Sequence, residues 1–173
     1  MAKILAVSDL HENIEVLDII LDHVRYDALF MAGDIAELNI VELVRILAHV
    51  DSPVLIINGN HDCVPCLRRL SRKLRNIKYV FRDVVSVEIG GEELRILCIS
   101  GVYSKKKSDW FHYTDRDIIR LARRVIADFG DVEMVMSHTP PYRMADYLPK
   151  GGRGGLKQLL VFREMLTPTV WIS

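Results

Sequence analysis

The chain lacks any long apolar run: nothing in its 173 residues approaches the ~20 consecutive hydrophobic positions that a membrane-spanning helix needs. No secretory signal precedes the first apolar segment, because Met1-Ala2-Lys3 leads straight into it. An excess of one charge is missing too. The 23 Lys and Arg residues balance 23 Asp and Glu, which removes the general electrostatic argument for nucleic acid or an anionic membrane as partner. Cysteine is scarce; three residues, an odd number, exclude a fully paired disulfide framework. These absences imply a cytoplasmic protein with reduced thiols and no membrane partner. Cys63-Val64-Pro65-Cys66 has redox-motif spacing without a thioredoxin-like context, and reads as an incidental pair at a helix start, with a disulfide as the alternative. There is no internal repeat and no linker, so residues 1–173 form one domain, too short for two.

What is present is a regular alternation. Short apolar runs rich in β-branched residues cover residues 3–8, 27–32 and 53–58, and each is followed by a stretch with helical periodicity, over 13–25, 39–50 and 64–75. Ile14, Leu17 and Leu21 give the first helix its apolar stripe, with Asn13 as a candidate cap. This β-α-β-α-β-α order implies a parallel sheet with crossover helices. The pattern then changes to strands at 79–80, 84–89 and 93–100, the last two joined by a Gly90-Gly91 turn, which suggests a second sheet or an antiparallel edge. Residues 101–113 read as a long polar loop without periodicity. A helix over 114–129, a strand over 132–137, a Gly- and Pro-rich loop, a helix over 156–165 and a strand over 169–173 complete the chain.

Four of these strands end in polar clusters: Ser8-Asp9-Leu10-His11, Gly33-Asp34, Gly59-Asn60-His61-Asp62 and Ser137-His138. Strand ends entering surface loops are where layered α/β proteins place ligands. Taken singly, each residue has a bland reading, since Asp or Asn beside glycine is ordinary turn chemistry. Together they imply one polar cluster at one sheet edge, with a metal as its occupant. Asp9 and His11, two apart, point to the same side if the segment is extended. Asp34 has two oxygens with which to bridge two ions, Asn60 offers an amide oxygen and His138 another imidazole. Mixed nitrogen and oxygen donors suit Mn, Fe, Zn, Co or Ni, and two ions ~3.5–4 Å apart would serve hydrolysis of a phosphate ester. His23 and His49 fall within helices and need no special role, and His112 is assigned to the surface.

These motifs, Asp9-x-His11, Gly33-Asp34, Gly59-Asn60-His61-Asp62 and the later His138, resemble the signature of the calcineurin-like metallophosphoesterase superfamily. The resemblance implies an α/β fold, a two-sheet β-sandwich flanked by helices in four αββα layers. It implies two divalent ions, Mn first, with Fe, Zn, Ni, Co or Mg as alternatives. Asp9 and His11 would bind the first metal, Asp34 would bridge, and Asn60 and His138 would bind the second. His61 would be the general acid, oriented by Glu37, with Asp62 competing for that role. The family closes its site with a Gly-His-x-His motif after a late strand. No residue follows Ser173, so a missing C-terminal part is expected. Gly33-Asp34-Ile35-Ala36-Glu37-Leu38 lacks the phosphate-gripping Arg of protein phosphatases, which favours a phosphodiester over a monoester as substrate. A scaffold of the same fold and a nuclease are the competing readings. Lys105 to Lys107, Lys150 and Arg153 could meet a substrate phosphate, and Tyr103, Trp110 and Tyr113 could stack a base. Solvent-facing charge and loop packing are the simpler readings for these, as a solvated helix face is for Arg68, Arg69, Arg72, Lys73 and Arg75. Oligomeric state is left open.

Overall fold

The computed structural model describes residues 2–105, 109–144, 146 and 154–173. Its first sheet follows from apolar runs too short for helices. β1 (Ile4–Val7), β2 (Ala28–Ala32), β3 (Val54–Ile57) and β4 (Ile77–Tyr79) lie side by side in that order, all parallel, with Ala6 opposite Phe30 and Phe30 opposite Leu55. Every residue of β2 and β3 is buried, as expected for inner strands covered on both faces. The crossovers are α1 (Ile14–His23), α2 (Ile40–Leu47) and α3 (Val64–Lys73). Leu17, Leu43, Leu47 and Leu67 from these helices pack on Leu29, Met31 and Ile56 of the sheet.

The second sheet begins with a hairpin. β5 (Arg82–Ile89) and β6 (Glu92–Ile99) pair antiparallel across Gly90 and Gly91, whose φ values of 61° and 84° fit a tight two-residue turn. The expected loop at 101–113 instead holds a small parallel pair, β7 (Val102–Tyr103) with β8 (His112–Tyr113). Two-residue strands are too short to leave a periodic trace. α4 (Asp115–Phe129) opens with a capping box between Thr114 and Asp117. β9 (Met134–Ser137) then enters the sheet beside β6, and the chain reaches α5 (Leu160–Leu166) through a 3-10 turn at Lys157–Leu159. β10 (Val170–Ile172) pairs with β9, giving the order β10-β9-β6-β5.

The two sheets meet face to face. Phe30, Leu55 and Ile57 from the first interdigitate with Ile96, Cys98, Met134 and Met136 from the second. On the far side Leu97, Ile99 and Val135 are covered by Ile118 and Val125 of α4 and Phe162 of α5. The layers are therefore helix, sheet, sheet, helix, the αββα sandwich expected. No helix among the described residues is long and apolar enough to cross a membrane.

The sheets are also joined by backbone at the edge where β3 ends. Gly101 N–H donates to the Asn58 carbonyl at 2.7 Å, and the buried Ser100 hydroxyl donates to Val80 O at 2.7 Å while accepting from Asn58 N–H at 3.3 Å. The chain ends that carry the polar motifs are thus held together before any of their side chains is considered. Phe30 is fully buried at the centre of the sheet-to-sheet contact. Phe30→Ala should cost about 3–5 kcal/mol in the urea-unfolding free energy, and a loss under ~1 kcal/mol would mean that the two sheets do not pack as described.

Candidate metal centre

Two glycines allow the strand ends to converge. Gly33, after β2, has φ 94°, and a Cβ there would lie 2.5 Å from the Gly59 nitrogen and 2.8 Å from His138 Nδ1. A Cβ at Gly59, after β3, would lie 2.7 Å from His138 Nε2 and would overlap the Asp34 carboxylate. The site exists only because both turns are bare on the facing side.

Asp34 is at the middle. It is 4 % exposed and left-handed, with φ 53°. Its Oδ1 accepts the His61 N–H at 2.9 Å, while Oδ2 lies 3.5 Å from His138 Nε2 and 3.9 Å from His11 Nε2. His138 donates from Nδ1 to the Ala32 carbonyl at 2.9 Å, which directs Nε2 to the carboxylates. A ring whose other nitrogen is held by a backbone carbonyl is the usual form of a ligating histidine. Donor atoms of Asp9, Asp34 and His138 lie within 4.8 Å of one another, a spacing one ion can span. His11 Nε2 is 3.7 Å from Asp9 Oδ1. The charges support one another. Burial raises the Asp34 carboxyl, but hydrogen bonds and charge from His138 and His61 outweigh it and bring it to about 2. Burial lowers His138, and its contacts with Asp34 and Ala32 more than offset that, so it stands above 6.5.

The extended geometry expected for Asp9-x-His11 is not found. Asp9 and His11 have φ of 54° and 44°, and Glu12 has 72°. The reason is that this segment runs on past β1 as a partner of the Asp34 turn: Asp9, His11 and Glu12 N–H donate to the carbonyls of Gly33, Asp34 and Ile35 at 3.0, 3.0 and 3.3 Å. Left-handed conformation costs a non-glycine residue about 1–2 kcal/mol, and such strain gathers at functional sites. The two side chains still converge, by a curled backbone rather than by strand alternation. The Ser8 hydroxyl donates to the Asp9 carboxylate.

Asp62 is not available to orient His61. Its Oδ2 accepts from Asp34 N–H at 2.7 Å and Gly59 N–H at 2.8 Å, and its Oδ1 from Ile35 and Ala36 N–H at 2.8 and 3.2 Å. Four amides occupy the lone-pair positions of one carboxylate. Burial pushes this carboxyl above its ordinary value against the pull of those amides. His61 is exposed on the turn beside Asn60, its ring edge-on to His11 at 5.5 Å, and Glu37 lines the same cleft. Ser173 lies with Asp9 and His138 on the adjoining cleft.

Sequence reasoning missed Glu12. Its carboxylate accepts from Glu37, Leu38 and Asn39 N–H at 2.5, 2.9 and 2.8 Å, so it fixes the turn that leads into α2. Burial raises its carboxyl, yet the three amides and His11 hold it below 4.5. No sequence signal marks this role, since the three amides lie 25–27 residues away; Asn13, expected to cap α1, makes no capping bond. Cys63 and Cys66, expected as an incidental pair, form a disulfide, because residues three apart at a helix start bring their Cα atoms to 5.2 Å. His23 and His49 bond carbonyls of their own helices, and His112 pairs with Asp109 at 3.4 Å. Lys105 is exposed, whereas Lys106, Lys107, Lys150 and Arg153 lie outside the described residues.

Asp62→Ala should cost about 2–4 kcal/mol, since unpaired amides are left behind. Asp62→Asn should cost nearly as much, because its NH2 group would face donors, and a wild-type-like thermal midpoint for Asp62→Asn would refute the assignment. A second expectation concerns pH. Asp34, lowered from 3.8, contributes stability that is complete above 3.8 and lost as pH falls through about 2. His138, raised above 6.5, contributes stability that is complete below 6.5 and lost as pH rises through its folded value. Metal-free protein should therefore lose urea stability as pH rises above 6.5, and His138→Gln should lose less. A divalent ion bound at Nε2 would reverse the slope, because it would replace the proton there. Equal slopes for the two proteins would remove the Asp34–His138 coupling.

The sequence profile of the calcineurin-like phosphoesterases matches residues 2–164. Among curated proteins none matches the chain. Solved structures do: one crystal structure superposes with a TM-score of 0.81, covering 98% of this chain and 82% of that one. At 14% identity that likeness is one of fold alone. The matched span takes in every turn that contributes a donor, from Asp9 to His138, and this chain belongs to the calcineurin-like phosphoesterase family.

Proposed function

We propose that the chain is a metal-dependent phosphodiesterase. It would hold two divalent ions, Mn first among them, through Asp9, His11, Asp34, Asn60 and His138. The observation that carries this reading is the single oxygen Asp34 Oδ2, which faces the Nε2 atoms of both His138 and His11 at 3.5 and 3.9 Å. One carboxylate oxygen directed at two imidazoles on separate turns fits a bridging ligand, and the mixed donor set suits a transition-metal ion of borderline softness. Bound divalent ions supply Lewis acidity, drawing charge from a phosphoryl oxygen and lowering the pKa of water.

The chain's own residues supply the rest. His138, fixed by the Ala32 carbonyl, keeps its ligating nitrogen on the site. His61, exposed at the mouth and outside the carboxylate cluster, is placed to give a proton to the departing ester oxygen. Glu37, on the same cleft, is the carboxylate that would orient it in place of Asp62. A phosphodiester is preferred because the turn after Asp34 holds Ile35 and Ala36 where a monoester phosphatase would need an added phosphate-binding cation.

The test compares an aryl phosphodiester, a dialkyl phosphodiester, whose leaving group is an alcohol, and an aryl monoester. Turnover should vanish in EDTA and return with Mn, and Asp34→Asn should remove it. His61→Ala should lower kcat on the alkyl leaving group by about 10²–10⁴-fold and much less on a nitrophenol, which leaves without a proton. No turnover with any divalent ion would replace the enzyme by a scaffold of the same fold.

A further inference from the structure

Next to the turn that carries His61 lies a separate cavity of about 530 Å³, bounded by Val64, Pro65, Arg68, Arg72 and Trp110. Pro65, Arg68 and Arg72 recur at helical spacing on one face of α3. Like charges four residues apart repel, and the arginine–carboxylate pairs among the described residues belong to Arg45, Arg95 and Arg124. Arg68 and Arg72 line the same cavity and neither belongs to those pairs, and guanidinium groups are suited to binding phosphate. Opposite them Trp110 is 47% exposed although its ring is backed by Phe81 at 5.8 Å and Phe111 at 5.6 Å. An indole held by packing on one side and open on the other is a stacking platform.

The cavity is tied to the metal centre by backbone. α3 starts two residues after Asp62. The loop that carries Trp110 is fixed by Val102 N–H to the Phe111 carbonyl at 3.3 Å, by the Arg82 guanidinium to the same carbonyl at 2.7 Å, and by Gly101 N–H to Asn58 O. Tyr79 donates its hydroxyl to Asn58 Oδ1 at 2.6 Å.

We propose that this cavity is the leaving-group subsite, which takes a nucleoside monophosphate, its phosphate between Arg68 and Arg72 and its base on Trp110. The role rests on the phosphodiesterase reading above. In the reaction a water oxygen bonds to phosphorus, the phosphorus–oxygen bond to the nucleotide's sugar breaks, and that oxygen takes the proton of His61. The products are a phosphomonoester and a nucleotide, and one water is consumed. The volume suits one nucleotide, and two arginines serve one phosphate. A longer strand would call for a basic track, against which the zero net charge counts.

The test titrates adenosine 5′-monophosphate, adenosine and inorganic phosphate into metal-free protein in EDTA, followed by calorimetry and tryptophan fluorescence. The nucleotide should bind at least about tenfold tighter than either fragment, and Arg68→Gln or Arg72→Gln should each weaken it about tenfold, with partial rescue by Lys. Trp110→Ala should remove the fluorescence response while Trp110→Phe keeps binding within a few-fold. Arg120→Gln, on the outer face of α4, should change nothing. Nucleotide binding no tighter than phosphate, or insensitive to Arg72→Gln in a protein with wild-type circular dichroism, overturns the subsite. Tight single-strand binding with a salt slope of several phosphates overturns the single-nucleotide assignment. Diester turnover without nucleotide binding removes the subsite and leaves the proposed function. Nucleotide binding without turnover removes the function and the leaving-group role with it.

Discussion

One carboxylate holds the centre together. Asp62 accepts backbone N–H groups from two different turns, Gly59 on its own and Asp34, Ile35 and Ala36 on the other. The Asp34 turn is left-handed, and the segment after β1 takes up its carbonyls but not its N–H groups. Asp62 supplies the acceptors that a sheet would otherwise provide. With the turns locked, Gly33 and Gly59 come close enough to admit His138, and Asp34 Oδ1 meets the His61 amide. The donor cluster is thus shaped by backbone geometry before any ion arrives, and such preorganisation is what a catalytic constellation requires.

A zero net charge hides a strongly partitioned surface. Asp9 and Asp34 share their edge with imidazoles, and Glu12 and Glu37 line the same cleft as Asp34, so carboxylates gather where cations would bind. One helix away, Arg68 and Arg72 line the neighbouring cavity. Glu12, one residue from His11, ties the acidic edge to the turn before α2.

The fold was legible because its signals are local. Ala28–Ala32 and Val54–Ile57 are apolar without alternation, the mark of inner strands, and the helices after them carry clear apolar stripes. That Asp9, Asp34 and His138 would meet was legible because each follows such a strand. What could not be read was conformation set by distant partners. The curl of Asp9 and His11 comes from the carbonyls of residues 33–35, the role of Asp62 from amides up to 28 residues away, and that of Glu12 from a turn 25 or more residues on. A hydrogen bond to a remote backbone leaves no mark on side-chain identity, so Asp62 looked equally suited to hold an imidazole. The β7–β8 pair failed for a simpler reason, having too few residues to alternate.

The division of the sandwich into an early sheet and a late one shapes how the chain is made. All strands of the first sheet have been synthesised once Tyr79 is added, whereas β9, the central strand that faces it and leads to His138, ends only at Ser137. At about 5–20 residues per second the ribosome needs on the order of 3–12 s to cover that gap. During that interval Phe30, Leu55 and Ile57 lack the cover of Met134 and Met136, while Ile96 and Cys98 of β6 can reach them. A nascent chain in that state is a client for chaperones, and slow codons within the second sheet would lengthen its exposure.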